Sequence, residues 1–493
     1  MKKNNDPSNP YADKRFVGYV TMVSPLLTKV HFPSSTLLKN FFHADEGLHA
    51  LVSRYVVIEG AGNGFLGKIT EVALPEKERL DFTESKFEKE AFHPTGKIEI
   101  LLCFDNYLLE ARKLLDQLPP VSAKVFLCSN DFLGSLLADF GSQKNVNQHT
   151  IPLATLPRDN EHNINVSSQA IFGRHCAIVG TTGGGKSWTV AKLIEEVISN
   201  NAKAILVDAT GEYLSLSESE NVTYLSFNSP SKESGIYFNY QSLRESDIHA
   251  LFRPTGQAQI PKLQEAMRSL RLVKVLQTKP DKTNNDQFVE NVQNGFWHPS
   301  DHGGNEITLI KKASQPRRNI ITAFKENISV YDLDCNFDIM ALPFQVFNEC
   351  VRDFGNSGQN NESIYGVLDQ NAQGFCQSLI SRILVTINSQ SFKKVFGFVE
   401  DVKPDNEFSE KVEEFLSATS TKNVLIISVA EVPTEHKLKE ILVNAIGRFL
   451  LEKSLRKEFK GVGRQSLLLF LDEAHLFLNN KIRDEYSIEV ELD

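Results

Sequence analysis

Gly180-Thr181-Thr182-Gly183-Gly184-Gly185-Lys186-Ser187 fits the pattern GxxxxGK[ST], and its reading decides the fold. The apolar run Cys176-Ala177-Ile178-Val179 precedes it. Behind it Val190, Leu193, Ile194, Val197 and Ile198 recur at helical spacing, giving one apolar stripe. Strand, glycine loop and helix are the context that this motif requires. Glycines let the backbone turn inward so that successive N–H groups surround a β-phosphate, and the helix N-terminus adds partial positive charge. Lys186 is the point charge for the β- and γ-phosphates, and Ser187 offers a hydroxyl to Mg²⁺. The nucleotide-contact set is therefore Gly180, Thr182, Gly183, Gly184, Gly185, Lys186, Ser187 and Trp188, with ATP and Mg²⁺ as ligands.

Three further apolar runs lie downstream, at Ala202 to Val207, Asn423 to Val429 and Ser466 to Leu471. Continuous runs of this kind belong to strands buried on both faces, as in a parallel sheet covered by helices. The helical stripe Leu438, Ile441, Leu442, Ala445, Ile446 and Phe449 follows Pro433. The last run ends in Asp472-Glu473-Ala474-His475. A carboxylate at such a strand end faces Mg²⁺ and the next one polarises the attacking water, which assigns Asp472 to metal and Glu473 to general-base catalysis. The competing reading, Asp472 as the N-cap of the next helix, is weaker beside a buried-type strand. His475 reads either as a sensor of phosphate or DNA or as a structural histidine. Asp208-Ala209-Thr210-Gly211-Glu212-Tyr213 ends the first of the three runs. Asp208 and Glu212 read equally as γ-phosphate neighbours or as turn chemistry with a solvated glutamate.

From Phe16 to about Ser129 the chain is a series of short alternating runs broken by turn residues. They include Phe16 to Thr21, Lys29 to Phe32, Tyr55 to Ile58, Gly67 to Val72, Ile98 to Leu102 and Lys124 to Leu127. This predicts a small β-barrel over residues 16–150 after a polar tail at 1–15, with a helix fitted in at Asn106 to Leu118. Residues 151–214 and 421–493 read as the ATPase core, and 215–420 as a mostly helical insertion containing Gln257 to Gln277 and Gln370 to Asn388. The fold class is α/β, a RecA-like P-loop core with an N-terminal barrel and a helical insertion.

Composition narrows the class. At 493 residues several domains are needed, and 41% hydrophobic with 23% charged residues describes an ordinary globular chain. No apolar run reaches membrane-spanning length, so no membrane partner is expected. Cys103, Cys128, Cys176, Cys335, Cys350 and Cys376 are scattered without a CxxC pair, which argues for packing roles and a reducing cytoplasm rather than a zinc site. The net charge of −9 means that any contact with nucleic-acid phosphate must be local. Lys311-Lys312, Arg317-Arg318 and the helical set Arg268, Arg271 and Lys274 are the candidates, against the bland alternative of solvated surface cations.

In this order the three signatures resemble the HerA family of ring ATPases within the HerA/FtsK group. Pro157-Arg158-Asp159-Asn160 and Phe172 to Gly180 look like that family's lead into the phosphate loop; Asp208-x-x-Gly211-Glu212-Tyr213 is similar to its second signature. Ile427-Ser428-Val429 with the helix through Arg448 resembles its penultimate strand, and Leu471 to His475 its Asp-Glu box. Val17 to Val20 and Leu66 to Ile69 are similar to the HAS-type barrel that precedes such motors. The resemblance implies a homo-hexameric ring threaded by double-stranded DNA, with Arg174 at the nucleotide and Glu212 in catalysis beside Glu473 and Lys186. It also implies an effector partner, either a NurA-like nuclease in DNA-end processing or another nuclease or sirtuin-like enzyme in antiviral defence. The alternative is a nucleotide-stabilised ring scaffold that activates its partner with little translocation. A secretion or conjugation ATPase ranks last, for want of a membrane segment. Only 18 residues follow His475, fewer than the family's sensor strand and arginine finger occupy. A chain ending there would bind nucleotide while hydrolysing it poorly, an arginine finger being worth roughly 10³–10⁵ in rate.

Overall fold

Alternating burial along short strands closes the N-terminal region into a barrel. The computed structural model describes the chain except residues 1–8, 25–26, 34–50, 74–92, 107–110, 113–116, 140–148, 157–158, 174, 230–234, 279–288, 294–305, 333, 353–362, 399–405, 418, 457–466 and 477–493. It falls into two compact units, Met1–Glu196 and Val197–Asp493.

In the first unit the barrel strands are Phe16–Val23 (β1), Thr28–His31 (β2), Tyr55–Glu59 (β3), Asn63–Ala73 (β4), Thr95–Asp105 (β5), Ala111–Arg112 (β6) and Lys124–Leu127 (β7). Their order is β2-β1-β7-β3-β4-β5-β6, and β2 also pairs with β5, so six strands close on themselves. Val17, Val30, Val56, Ile69, Ile98 and Val125 fill the interior with no solvent exposure. The opposite side chains of β3, β4 and β5, namely Val57, Leu66 and Phe104, pack on Phe132 and Leu136 of the helix Asn130–Asp139 (α1). The helix expected at Asn106 to Leu118 is not what Ala111–Arg112 forms: this pair is β6, held against Cys103 and Phe104 of β5. A hairpin follows, Thr150–Leu156 (β8) with Asp159–Ser167 (β9), then the short helix Ser168–Phe172 (α2). The helix Lys186–Ser199 (α3) buries Leu193, Ile194 and Val197, three of the five residues of the stripe.

The second unit is built on a parallel sheet. Its strands are Lys203–Asp208 (β10), Val222–Phe227 (β11), Gly235–Ile236 (β12), Val424–Ser428 (β15) and Leu467–Leu471 (β16), in the order β12-β11-β15-β10-β16. Every residue of β10 and β15 is buried, which explains their unbroken apolar runs. β11 lies within the stretch read as an insertion; its half-exposed Thr223 and Tyr224 hide it from a search for continuous hydrophobicity. Leu438–Leu455 (α11) buries Leu438, Ile441, Leu442, Ala445 and Ile446, and Phe449 meets the Phe408 ring edge-on at 5.4 Å. Arg448 of α11 forms a largely buried ion pair with Asp247 of the helix Glu245–Phe252.

Between β12 and β15 the described residues are mainly helices, Glu245–Phe252 (α4), Gly256–Thr278 (α5), Arg317–Glu326 (α6), Leu342–Asn348 (α7), Gln370–Asn388 (α8), Gln390–Val395 (α9) and Phe408–Leu416 (α10), with the two-stranded ladder Val289–Gln293 (β13) and Glu306–Ile310 (β14). The fully buried Glu349 accepts from Ser269 Oγ at 2.6 Å and Gln345 Nε2 at 2.8 Å and pairs with Lys312. The proposed loops at 281–286 and 356–362 lie outside the described residues.

Candidate nucleotide site

The phosphate loop belongs to the first unit. Gly183 and Gly185 take φ of +75° and +84°, values that a side chain disfavours, and a Cβ at either would meet nothing within 4 Å. The loop is thus open on the side where glycine is required. Gly184 N–H donates to Thr181 O at 2.9 Å, tightening the turn. Lys186 opens α3, and its Nζ donates to the carbonyls of Gly180 at 3.2 Å and Thr181 at 3.3 Å. The ammonium therefore overhangs its own loop, where an anion would draw it off those carbonyls. Thr189 fastens the first turn through Oγ1 to Gly185 O at 3.0 Å. Ser187 is half-buried, Thr182 exposed, and Trp188 is 83% exposed. Arg174 lies outside the described residues. Residues 175–180 carry no ladder, and Cys176 and Val179 are exposed, so the strand and the packing role expected there are not what the described residues show.

The carboxylates belong to the second unit and stand on the C-terminal edge of the parallel sheet. Asp208 ends β10 in register with Ser428 of β15. Val207 is opposite Leu471 of β16, and Asp472 N–H donates to Val207 O at 3.1 Å, which sets Asp472 one step past that strand. Asp208 is fully buried, and its carboxylate accepts N–H bonds from Thr210 at 3.1 Å, Gly211 at 2.7 Å and Tyr213 at 3.3 Å. The turn-chemistry reading of Asp208 therefore accounts for its side chain. Thr210 Oγ1 donates to Asp472 Oδ2 at 3.1 Å. Burial pushes the Asp472 carboxyl up; Thr210 opposes this, while Asp208, Glu473 and Glu212 add to it. Glu212 is exposed. Glu473 sits at φ +47°, and its Oε2 is 3.0 Å from His475 Nδ1.

Among the described residues no group of three or more His, Cys, Asp and Glu side chains could hold a metal alone. Magnesium asks for less: one or two carboxylates, with phosphate oxygens and waters completing its octahedron. The Ser187 hydroxyl in the first unit and the Asp472 carboxylate in the second are each oxygen donors of the kind that it takes.

Two residues matter here that the sequence did not single out. Thr210 lay inside the quoted Asp-x-Thr-Gly turn, and its hydroxyl was the available signal. Lys439, whose Nζ reaches Ala209 O and Ala430 O, carried no signal short of the sheet topology. Two of the basic DNA candidates are withdrawn, because Arg271 and Lys312 are buried against Glu245 and Glu349. Arg317 stacks on Tyr365 at 4.7 Å, whereas Arg318 is exposed.

A GKS phosphate loop at a helix start and paired carboxylates at parallel strand ends are the working parts of a P-loop nucleotide-binding protein. The family described as "Helicase HerA, central domain" matches residues 151–449, and the chain belongs to it. Over 111 residues it is 30% identical to the probable DNA double-strand break repair helicase HerA of Methanocaldococcus jannaschii. That match covers 22% of this chain and 20% of the relative, so the chain spans about a fifth of that protein's length. Among the described residues no helix is long and apolar enough to cross a membrane.

Proposed function

We propose that this protein is an ATP-dependent motor of HerA type that processes double-stranded DNA as a homo-hexameric ring. The carrying observation is Asp472, stationed at the end of a parallel strand with Thr210 on one oxygen, in a chain that also bears an open GKS loop. In this reading the core is RecA-like: residues 151–214 and 421–493 belong to it, β11 and β12 carry its sheet into the stretch 215–420, and the rest of that stretch is inserted. Lys186 leaves the carbonyls of Gly180 and Thr181 to neutralise phosphate charge, and the loop amides with Ser187 and Trp188 flank the nucleotide. Arg174 adds a second cation. Asp472 and Ser187 would hold magnesium, which would neutralise charge on the phosphate oxygens. Glu473 orients water and accepts its proton, with His475 fixing the carboxylate and Glu212 near the terminal phosphate. The likeness to a double-strand break repair helicase supports DNA as the track. A nuclease or other effector enzyme is the partner, in DNA-end processing or antiviral defence.

ATP hydrolysis by the full chain, with and without duplex DNA, tests the reading. Lys186→Ala is expected to lose nucleotide binding, and Glu473→Gln to bind ATP while losing turnover by about 10³-fold or more, the scale of a missing general base with its water. A Glu473→Gln protein that keeps wild-type turnover rejects the catalytic assignment. One that assembles and still activates an effector without translocation favours the scaffold instead.

A further inference from the structure

The turn after β10 is fixed at both ends. Asp208 gathers the amides of Thr210, Gly211 and Tyr213 at its start, and Thr210 lies on Asp472. Its outer side rests on the loop after β15: a Cβ at Gly211 would come within 3.4 Å of the Ala430 Cβ, and Val429 N–H donates to Asp208 O at 2.9 Å. Between those two loops lies the ammonium of Lys439, from the first turn of α11. Its Nζ is 3.5 Å from Ala209 O and 3.3 Å from Ala430 O. Asp208, Glu431 and Glu440 are the charged groups around it. A half-buried ammonium is costly to desolvate and is retained where carbonyl dipoles and carboxylates converge on it. An apolar side chain of equal length would pack there at lower cost, so the charge answers a need of the turn rather than of the core.

We propose that Lys439 is a positioning residue of the nucleotide site, clamping Ala209 to Ala430 so that Thr210 keeps its hydroxyl on Asp472. This role rests on the nucleotide reading above. The contacts run from Lys439 through the Ala209 carbonyl to Thr210 and then Asp472, so loss of the clamp frees the turn without touching the phosphate loop.

The test compares Lys439→Met, which keeps the aliphatic stem, with Lys439→Arg in the full chain. Hydrogen exchange at the amides of Thr210, Gly211 and Tyr213 is read alongside ATPase kinetics. Lys439→Met is expected to speed exchange at those amides and to lower kcat about tenfold, the size of one lost charge-assisted bond, with KM for ATP held within about twofold. Lys439→Arg restores both. An active wild type whose Lys439→Met variant keeps its kcat, or keeps its exchange rates, overturns the positioning role alone. A wild type that neither binds nor hydrolyses ATP overturns the nucleotide reading and Lys439's part in it.

Discussion

Thr210 and Asp472 are 262 residues apart in sequence and 3.1 Å apart in space, hydroxyl to carboxylate. The bond joins the turn after β10 to the residue after β16. Of the two carboxylates that meet at this edge, Asp208 accepts three backbone amides, whereas Asp472 accepts the Thr210 hydroxyl as its one side-chain donor among the described residues. In the function proposed above, Asp208 shapes the turn and Asp472 is the carboxylate left for chemistry.

Replacing Thr210 by Val removes the donor while keeping the branched shape. Burial already raises the Asp472 carboxyl, and the hydrogen bond from Thr210 opposes that rise. The variant is expected to need more Mg²⁺ for half-maximal ATPase, by about three- to tenfold, the range of one hydrogen bond to a charged group. The acid limb of its pH–rate profile should also move to higher pH. A magnesium titration and a pH series on both proteins measure these shifts; coincident curves would remove Thr210 from the site.

Acid sensitivity is expected from a residue far from that chemistry. Burial depresses the His249 pKa, with Glu245 opposing, and Nε2 has no hydrogen-bond partner among the described residues. The folded state thus binds this proton more weakly than the unfolded chain, whose histidine titrates near about 6.5. Stability from this group is complete above that value and declines as pH falls toward the depressed folded pKa. His249→Asn should flatten this part of the profile, seen as a smaller Tm difference between pH 7.5 and 5.5, on the order of a degree or two for a chain this long.

The Glu349 cluster predicts a non-additive pair. Lys312→Met strands a fully buried carboxylate, and such losses run to about 3–5 kcal/mol. Adding Glu349→Leu removes the stranded charge, so the double variant is expected to recover most of the loss in urea unfolding. A double variant as unstable as the sum of its parts would place the value of Glu349 in its bonds to Ser269 and Gln345 instead.

Reading by pattern worked where one physical demand governed a whole segment. β10 and β15 are buried on both faces, and between their polar ends Lys203, Asp208 and Ser428 only apolar residues fill them. The barrel strands β1, β2 and β5 alternate because one face is wet, and five of the six runs lie wholly within strands, the sixth passing the end of β2 at Phe32. Pattern failed where a segment answers to a neighbour distant in sequence. Ala111–Arg112 is a strand because β5 offers it an edge, although its flanks carry a helical period. The same limit applies to the site: spacing within a motif names Lys186 and Asp472. Lys439 is identified only by carbonyls 230 and 9 residues away.

Closure of the barrel by the β2–β5 seam has a consequence for how that unit comes apart. A sheet with free margins can fray strand by strand, whereas a cylinder of six has no first strand to peel. Opening any seam exposes the shared apolar interior at once, so the slowest-exchanging amides of β1 to β5 and β7 should report one common opening free energy. The barrel would then persist or be lost as a whole.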